Sequence, residues 1–241
     1  MHVVGIEFVI IATALFVGAL VQGSLGFGMV LVSFPVLVIT EPELLPQSVL
    51  IAGLPMVLSL AWRHRGGAVW RDVGLVTFGR IPGIGLAIVI LSLASVRTIG
   101  LMAGFTVLAA VALSFWAPAV PKTRPNLVFA GVISALFGTA VAIGGPPLAL
   151  LFQHEAGPRL RSTMTSIMLL GAPLSLTILT LSGNVDATDA RTGLALAPFS
   201  VTGSYSSRWV IPYVDDRLRP IILSICAFGA MVAIIRLLVA G

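Results

Sequence analysis

Gly23-Ser24-Leu25-Gly26-Phe27-Gly28 sits inside an apolar run of the wrong length. Between Glu7 and Glu41 lie 33 residues without a charge. As one straight helix they would run about 50 Å, against a hydrocarbon core of about 30 Å. Tilt alone would need more than about 50°, outside the usual range of about 0–40°. Pro35 lies further along the same run. A second run has the same difficulty: residues 125–153 hold 29 uncharged positions, about 43 Å as a helix. It carries Gly138-Thr139-Ala140-Val141-Ala142-Ile143-Gly144-Gly145-Pro146-Pro147. Glycine costs about 1 kcal/mol in a helix interior and proline about 3 kcal/mol. Each run therefore reads as two arms that enter a membrane, turn near its middle and return.

Outward from these runs the whole chain has a membrane composition. It is 58% hydrophobic and 10% charged over 241 residues, where soluble domains carry about 25% charge. Apolar stretches fall near 3–40, 44–62, 73–93, 98–117, 126–153, 162–182, 190–206 and 218–239, with short polar loops between them. The expected fold is an all-α polytopic membrane protein with no soluble domain. The N-terminal run lacks a basic region before it and reads as retained structure, not a signal peptide. The net charge of +5 is scattered over loops, without a basic patch interleaved with aromatics, so nucleic acid is not an expected partner. The lone Cys226 lies in an apolar segment and reads as a small core residue; neither a disulfide, a metal nor a redox cofactor is expected.

Arginine and lysine test the hairpin reading. With all eight stretches as single spans, one side receives seven of these residues and the other six, which carries no orientation signal. With both long runs re-entrant, one side receives ten: Arg63, Arg65, Arg71, Lys122, Arg124, Arg159, Arg161, Arg208, Arg217 and Arg219. The other keeps Arg97, Arg191 and Arg236. Basic residues concentrate in cytoplasmic loops, so the ten-charge side is expected in the cytoplasm and both termini outside an inner membrane.

The chain also repeats itself. Gly23-Ser24 matches Gly138-Thr139, Leu54-Pro55-Met56-Val57-Leu58-Ser59 resembles Ala172-Pro173-Leu174-Ser175-Leu176-Thr177, and Gly67-Ala68-Val69 matches Gly183-Asn184-Val185. Residues 1–120 and 121–241 thus form two membrane repeats in one integral domain. Each is a glycine-broken, re-entrant first helix followed by three transmembrane helices. With re-entrant runs the repeats are inverted, a recurring plan for secondary transporters with a substrate site at the repeat interface. The pattern Gly18-x4-Gly23-x2-Gly26-x-Gly28 with Pro35 resembles the first-repeat motif of the sulfite exporter TauE/SafE family. Gly131-x6-Gly138-x5-Gly144-Gly145-Pro146 resembles its second. The resemblance covers essentially the whole chain. It implies a permease for small sulfur-containing or organic anions such as sulfite or sulfonates.

Helix breaks expose backbone N–H groups, and each helix N-terminus carries roughly half a positive charge. Two facing breaks would bind an anion. The expected substrate-binding residues are therefore Gly23, Gly26 and Gly28 with Gly138, Gly144, Gly145 and Pro146, and the donors Gln22, Ser24 and Thr139 beside the breaks. The competing reading is that small residues simply allow close helix packing. Arg80, in Phe78-Gly79-Arg80-Ile81-Pro82-Gly83, is the only charge deep in a span. It costs at least about 2.5–3.5 kcal/mol there, so it either contacts substrate or snorkels to an interface. Gln47, Ser48, Thr165 and Ser166 are weaker pathway-lining candidates, beside Ser59 and Thr177. His2, His64 and His154 lie at segment ends, and Asp72, Asp186, Asp189, Asp215 and Asp216 in loops, so no intramembrane proton relay is visible. A proton or sodium ion remains a candidate coupling ion, and a homodimer a candidate assembly.

There is no Walker A pattern, and no paired intramembrane acids, His-Glu metal motif or nucleophile with a base. An enzyme is not expected. The leading reading is a secondary transporter for a small anion, working by alternating access around a midplane site. An anion channel of the same architecture and a non-transporting membrane scaffold are the alternatives.

Overall fold

A computed structural model describes residues 5–64, 66–116, 120–155, 157–211 and 218–239. Arg65, Arg217, Asp215, Asp216 and His2 lie outside the described residues, as does the side chain of Arg219. Among the described residues every element is helical. The order is α1 (Ile6–Leu25), α2 (Met29–Thr40), α3 (Gln47–Arg63), α4 (Trp70–Leu93), α5 (Val96–Trp116), α6 (Arg124–Ala140), α7 (Gly145–Leu151), α8 (Gly157–Leu181), α9 (Ala187–Val210) and α10 (Leu218–Val239). A 3-10 turn at Pro42–Leu44 joins α2 to α3. Helices α1, α4, α5, α8 and α10 are long and apolar enough to cross a membrane. The 24-residue α9 is also long enough, about 36 Å. It is more polar, because Thr192, Ser200, Ser204 and Ser207 turn inward and are buried. Ser200 Oγ reaches the Ala52 carbonyl of α3.

Both long runs break where glycine and proline accumulate. Gly26 and Gly28 have φ of 92° and 122°, a backbone that L side chains resist and glycine adopts freely. The Gly26 N–H donates to the Gln22 carbonyl, closing α1. After Ala140, the N–H groups of Val141 and Ile143 both donate to the Phe137 carbonyl, and Ala142 takes a φ of 59°. Each short arm packs back along the longer one. A Cβ on Gly18 would collide with the Met29 carbonyl, and Ser134 Oγ donates to the Gly144 carbonyl at 2.7 Å.

The breaks are narrower than the glycine content suggests. Gly23 and Ser24 remain inside α1, and Gly138 and Thr139 inside α6. The arms are also unequal, 20 and 12 residues in the first run and 17 and 7 in the second. The turns therefore do not bisect the runs.

Helix packing crosses between the halves. α1 packs on α9, α6 on α4, α3 on α9 and α8 on α4, while α5 packs on α10. Small residues bring backbones together, as is usual in membranes. A Cβ on Gly203 would strike the Phe16 carbonyl, one on Gly79 the Val128 carbonyl, and one on Gly131 the Val76 carbonyl.

Side-chain contacts sort the helix ends. At one end Arg63 donates to the carbonyls of Ser204 and Tyr205, Arg161 to that of Ser24, and Lys122 pairs with Asp72 and Glu155. At the other end Arg97 donates to the Leu238 carbonyl, Arg236 to that of Ile39, and Ser48 to Asp189. Phe78, Phe105, Phe129 and Phe228 face outward, as lipid-contacting positions do. Trp62, Trp70 and Trp209 are exposed at the Arg63 end, where amphipathic rings sit at headgroup depth. The chain is a multi-pass integral membrane protein.

Candidate functional site

Arg80 lies near the middle of α4 and is only 6% exposed. Its Nη1 donates to Ser134 Oγ of α6 at 3.1 Å, and its Nη2 to Ser175 Oγ of α8 at 3.4 Å. Its Nε is buried with no partner among the described residues. Among the described residues no carboxylate forms an ion pair with it. The guanidinium passes between two neighbouring helices and does not snorkel to an interface. Gly171 of α8 makes this path available, since a Cβ there would collide with Arg80 Nε. Gly138 on α6 instead lets the Gly144 backbone approach, and a Cβ there would only touch Nη2, at 3.9 Å.

Beside the guanidinium is a cavity of about 100 Å³. One water needs about 10–15 Å³ by the same measure, so several waters or one small ion fit. Gln22 and Gly28 line it from the first break, and Gly138, Gly144, Gly145 and Pro146 from the second. Arg80, Ser134 and Ser175 complete its polar wall, and Met29, Val49, Met56 and Met168 contribute apolar surface. The structure thus brings both breaks and the one deep charge to a single cavity.

The polar groups are wired together. Thr139 Oγ1, fully buried, donates to Ser175 Oγ at 2.8 Å, and Ser175 accepts from Arg80. Ser134 accepts from Arg80 while giving its proton to the Gly144 carbonyl. A hydroxyl can do both at once. Gln22 Oε1 accepts the Met29 N–H at 3.0 Å. Because that N–H can only donate, the Gln22 oxygen must face it, which turns the amide NH₂ toward Met168 Sδ at 3.4 Å. A thioether is a weak acceptor, so this NH₂ keeps donor capacity at the cavity wall.

Other sequence-nominated residues lie elsewhere. Gly23 packs against Ser204 and Ser207 of α9, and Gly26 against Arg161. Ser24 Oγ donates to its own helix at the Leu20 carbonyl. Ser48 Oγ donates to Asp189 near the other end of the bundle, beside half-buried Gln47. Thr165 is buried in α8 away from the cavity, and Ser166 lines a separate groove. Conversely, Ser134, Ser175 and Gly171 were not nominated from the sequence. A signal existed: Ser134 precedes Gly138 by four residues, and Gly171 precedes Ser175 by four. That spacing puts each hydroxyl and each gap on one helix face.

The second break presents fewer backbone donors than its composition suggests. Pro146 and Pro147 occupy the first turn of α7 and have no N–H. The second break therefore adds little backbone charge, and Arg80 is the full positive charge on the cavity wall.

The family model described as Sulfite exporter TauE/SafE matches residues 10–233. No curated protein and no solved structure matches the chain.

Proposed function

This chain belongs to the sulfite exporter TauE/SafE family, membrane transporters of sulfur anions, and from that premise we propose that it is a secondary transporter of an inner membrane carrying sulfite, a sulfonate or a related small organic anion. The observation that carries the reading is Arg80: a buried cation with no carboxylate partner among the described residues, on the wall of a cavity that both helix breaks line. A buried charge left uncompensated is strongly unfavourable. An anion entering the cavity supplies the missing charge, and the Ser175 hydroxyl and the Gln22 amide supply further hydrogen bonds.

Two structural features support alternating access by a pair of inverted repeats, residues 1–120 and 121–241. The helix pairing is reciprocal, with α1 of the first half on α9 of the second and α6 of the second on α4 of the first. The short arms return to opposite ends: α2 ends beside Arg236, while α7 runs into the Glu155 turn held by Lys122. Rocking one half against the other would open the Arg80 cavity to each side in turn, coupled to a proton or sodium gradient.

The test is flux of labelled sulfite, sulfate and small sulfonates into proteoliposomes with and without a pH gradient. Saturable uptake that concentrates substrate is expected, whereas non-saturating flux that only follows the gradient would make the protein a channel. A hydrogen bond to a charged group contributes about 1.5–3 kcal/mol, so Arg80→Gln should weaken apparent affinity roughly 10- to 150-fold. Near-normal affinity in both Arg80→Gln and Arg80→Lys would refute the substrate role.

A further inference from the structure

At the Arg63 end of the bundle lies an opening that shares no lining residue with the Arg80 cavity. It has two chambers on the seam between α3 and α8. The polar chamber, about 580 Å³, is lined by Arg63, His64, Arg159 and Ser162. The apolar chamber, about 360 Å³, is lined by Leu58, Trp62, Trp70 and Leu169. His64, Gly66 and Ser162 border both, so the two are continuous.

Among the described residues, the polar chamber carries more positive charge than its neighbours neutralise. The Arg63 guanidinium meets backbone carbonyls and the Ser207 hydroxyl, and the charges that act on it most are Arg208 and Arg161. Arg161 in turn donates to the Ser24 carbonyl. Among the described residues, the carboxylate paired with Arg159 is Glu155, and it is shared with Lys122. Three buried polar atoms here have no partner among the described residues: Nε of Arg63, Nε of Arg161 and Nε2 of His64. The apolar chamber opens on the outer, lipid-facing surface, where Trp62 is 71%, Trp70 64% and Leu58 58% exposed.

We propose that this groove binds an anionic phospholipid, its phosphate against Arg63, His64 and Arg159, and one acyl chain between Trp62 and Trp70. Basic pockets between membrane helices recognise acidic headgroups in this way, and tryptophans mark the depth at which headgroup meets chain. A soluble anion would need only the polar chamber, and would leave the adjoining apolar one without a role. The site has a mechanical consequence. Ser162 Oγ donates to the His64 carbonyl, and the Val69 N–H to Thr163 Oγ1, so the α3–α4 loop already leans on α8 here. A lipid seated across that seam restrains the two helices, one from each half, that also line the Arg80 cavity.

The test uses the full chain, delipidated in detergent and examined by native mass spectrometry with phosphatidylglycerol, with phosphatidylcholine of matched chains, and with inorganic phosphate. Phosphatidylglycerol should be retained about tenfold over phosphatidylcholine, as expected for an electrostatic headgroup site. Arg63→Gln should abolish the preference. Because Arg63 also ties α3 to α9, His64→Gln with Arg159→Gln, at loop and surface positions, should reduce it independently. Equal retention of the two lipids, a preference that survives both variants, or full displacement of phosphatidylglycerol by millimolar phosphate would each overturn the proposal. The last outcome would reassign the groove to a soluble anion.

Discussion

Arg80 is held by what its neighbours lack as much as by what they offer. Gly171 leaves the space that Arg80 Nε fills, and Ser134 and Ser175 anchor the two Nη atoms. Gly171→Ala should therefore push the guanidinium off its serines. Overpacking costs about 1–3 kcal/mol, so the apparent KM for labelled sulfite should rise roughly tenfold or more while the protein still inserts. A Gly171→Ala variant with unchanged KM would show that Arg80 does not need this position. A lone charge in an apolar run announces itself in a sequence, so Arg80 was legible. Its partners were not, because serines in membrane helices commonly bond their own backbone, and only the packing of α6 and α8 distinguishes these two. His64 is a second residue whose state depends on its surroundings. Burial first, then the flanking Arg63 and Arg161, lower its pKa from 6.5 to about 4. An unfolded chain binds that proton near 6.5, so the neutral-His64 contribution to stability is present above pH 6.5 and is lost as pH falls toward 4. The detergent-solubilised protein should lose thermal stability over that window. His64→Gln should flatten part of the loss; an unchanged acid profile would assign it to other groups.

At the scale of the element, length was the most legible property of the sequence. An uncharged run of 33 residues cannot be one span, and the structure breaks it between Leu25 and Met29. The break boundaries were less legible, because glycine has two uses in these helices. At Gly26 and Gly28 it supplies positive φ, whereas at Gly23, Gly131 and Gly203 it lets a neighbouring helix approach. Composition alone does not separate the two. Substitution should. Gly131→Ala places a methyl against the Val76 carbonyl, a backbone atom that cannot swing aside, and should destabilise the α4–α6 pair by about 1–3 kcal/mol. A thermal melt that falls by several degrees without any change in substrate selectivity is the expected result. Ala142 is the opposite case. It holds a φ of 59°, which costs an L residue about 1–2 kcal/mol relative to glycine. Ala142→Gly should raise the melting temperature, and a lowered one would mean that the methyl packs more than the backbone strains.

The whole molecule is organised by where the chain turns back, and here sequence and structure constrain each other. The positions of basic residues along the sequence separate Arg63, Lys122, Arg159, Arg161 and Arg208 from Arg97, Arg191 and Arg236. In the structure Arg63, Lys122 and Arg161 hold one set of helix ends, and Arg97 and Arg236 hold another. What sequence could not supply is the pairing of halves, because the contacts between α1 and α9 or α4 and α6 join residues far apart in the chain and leave no periodic trace. The orientation in the membrane follows from the hairpins and has a discriminating test. If both long runs re-enter, Pro121 faces the cytoplasm and Thr188 the outside. If each run were one full span, both positions would lie on the same side. Both are exposed, and the native Cys226 is buried at 3%, so background labelling is low. Pro121→Cys and Thr188→Cys are treated on intact cells with a membrane-impermeant maleimide. Thr188→Cys should label at once, and Pro121→Cys only after the membrane is opened. Labelling of both from the same side would remove the re-entrant hairpins, the inverted pairing of halves and the alternating-access reading built on them.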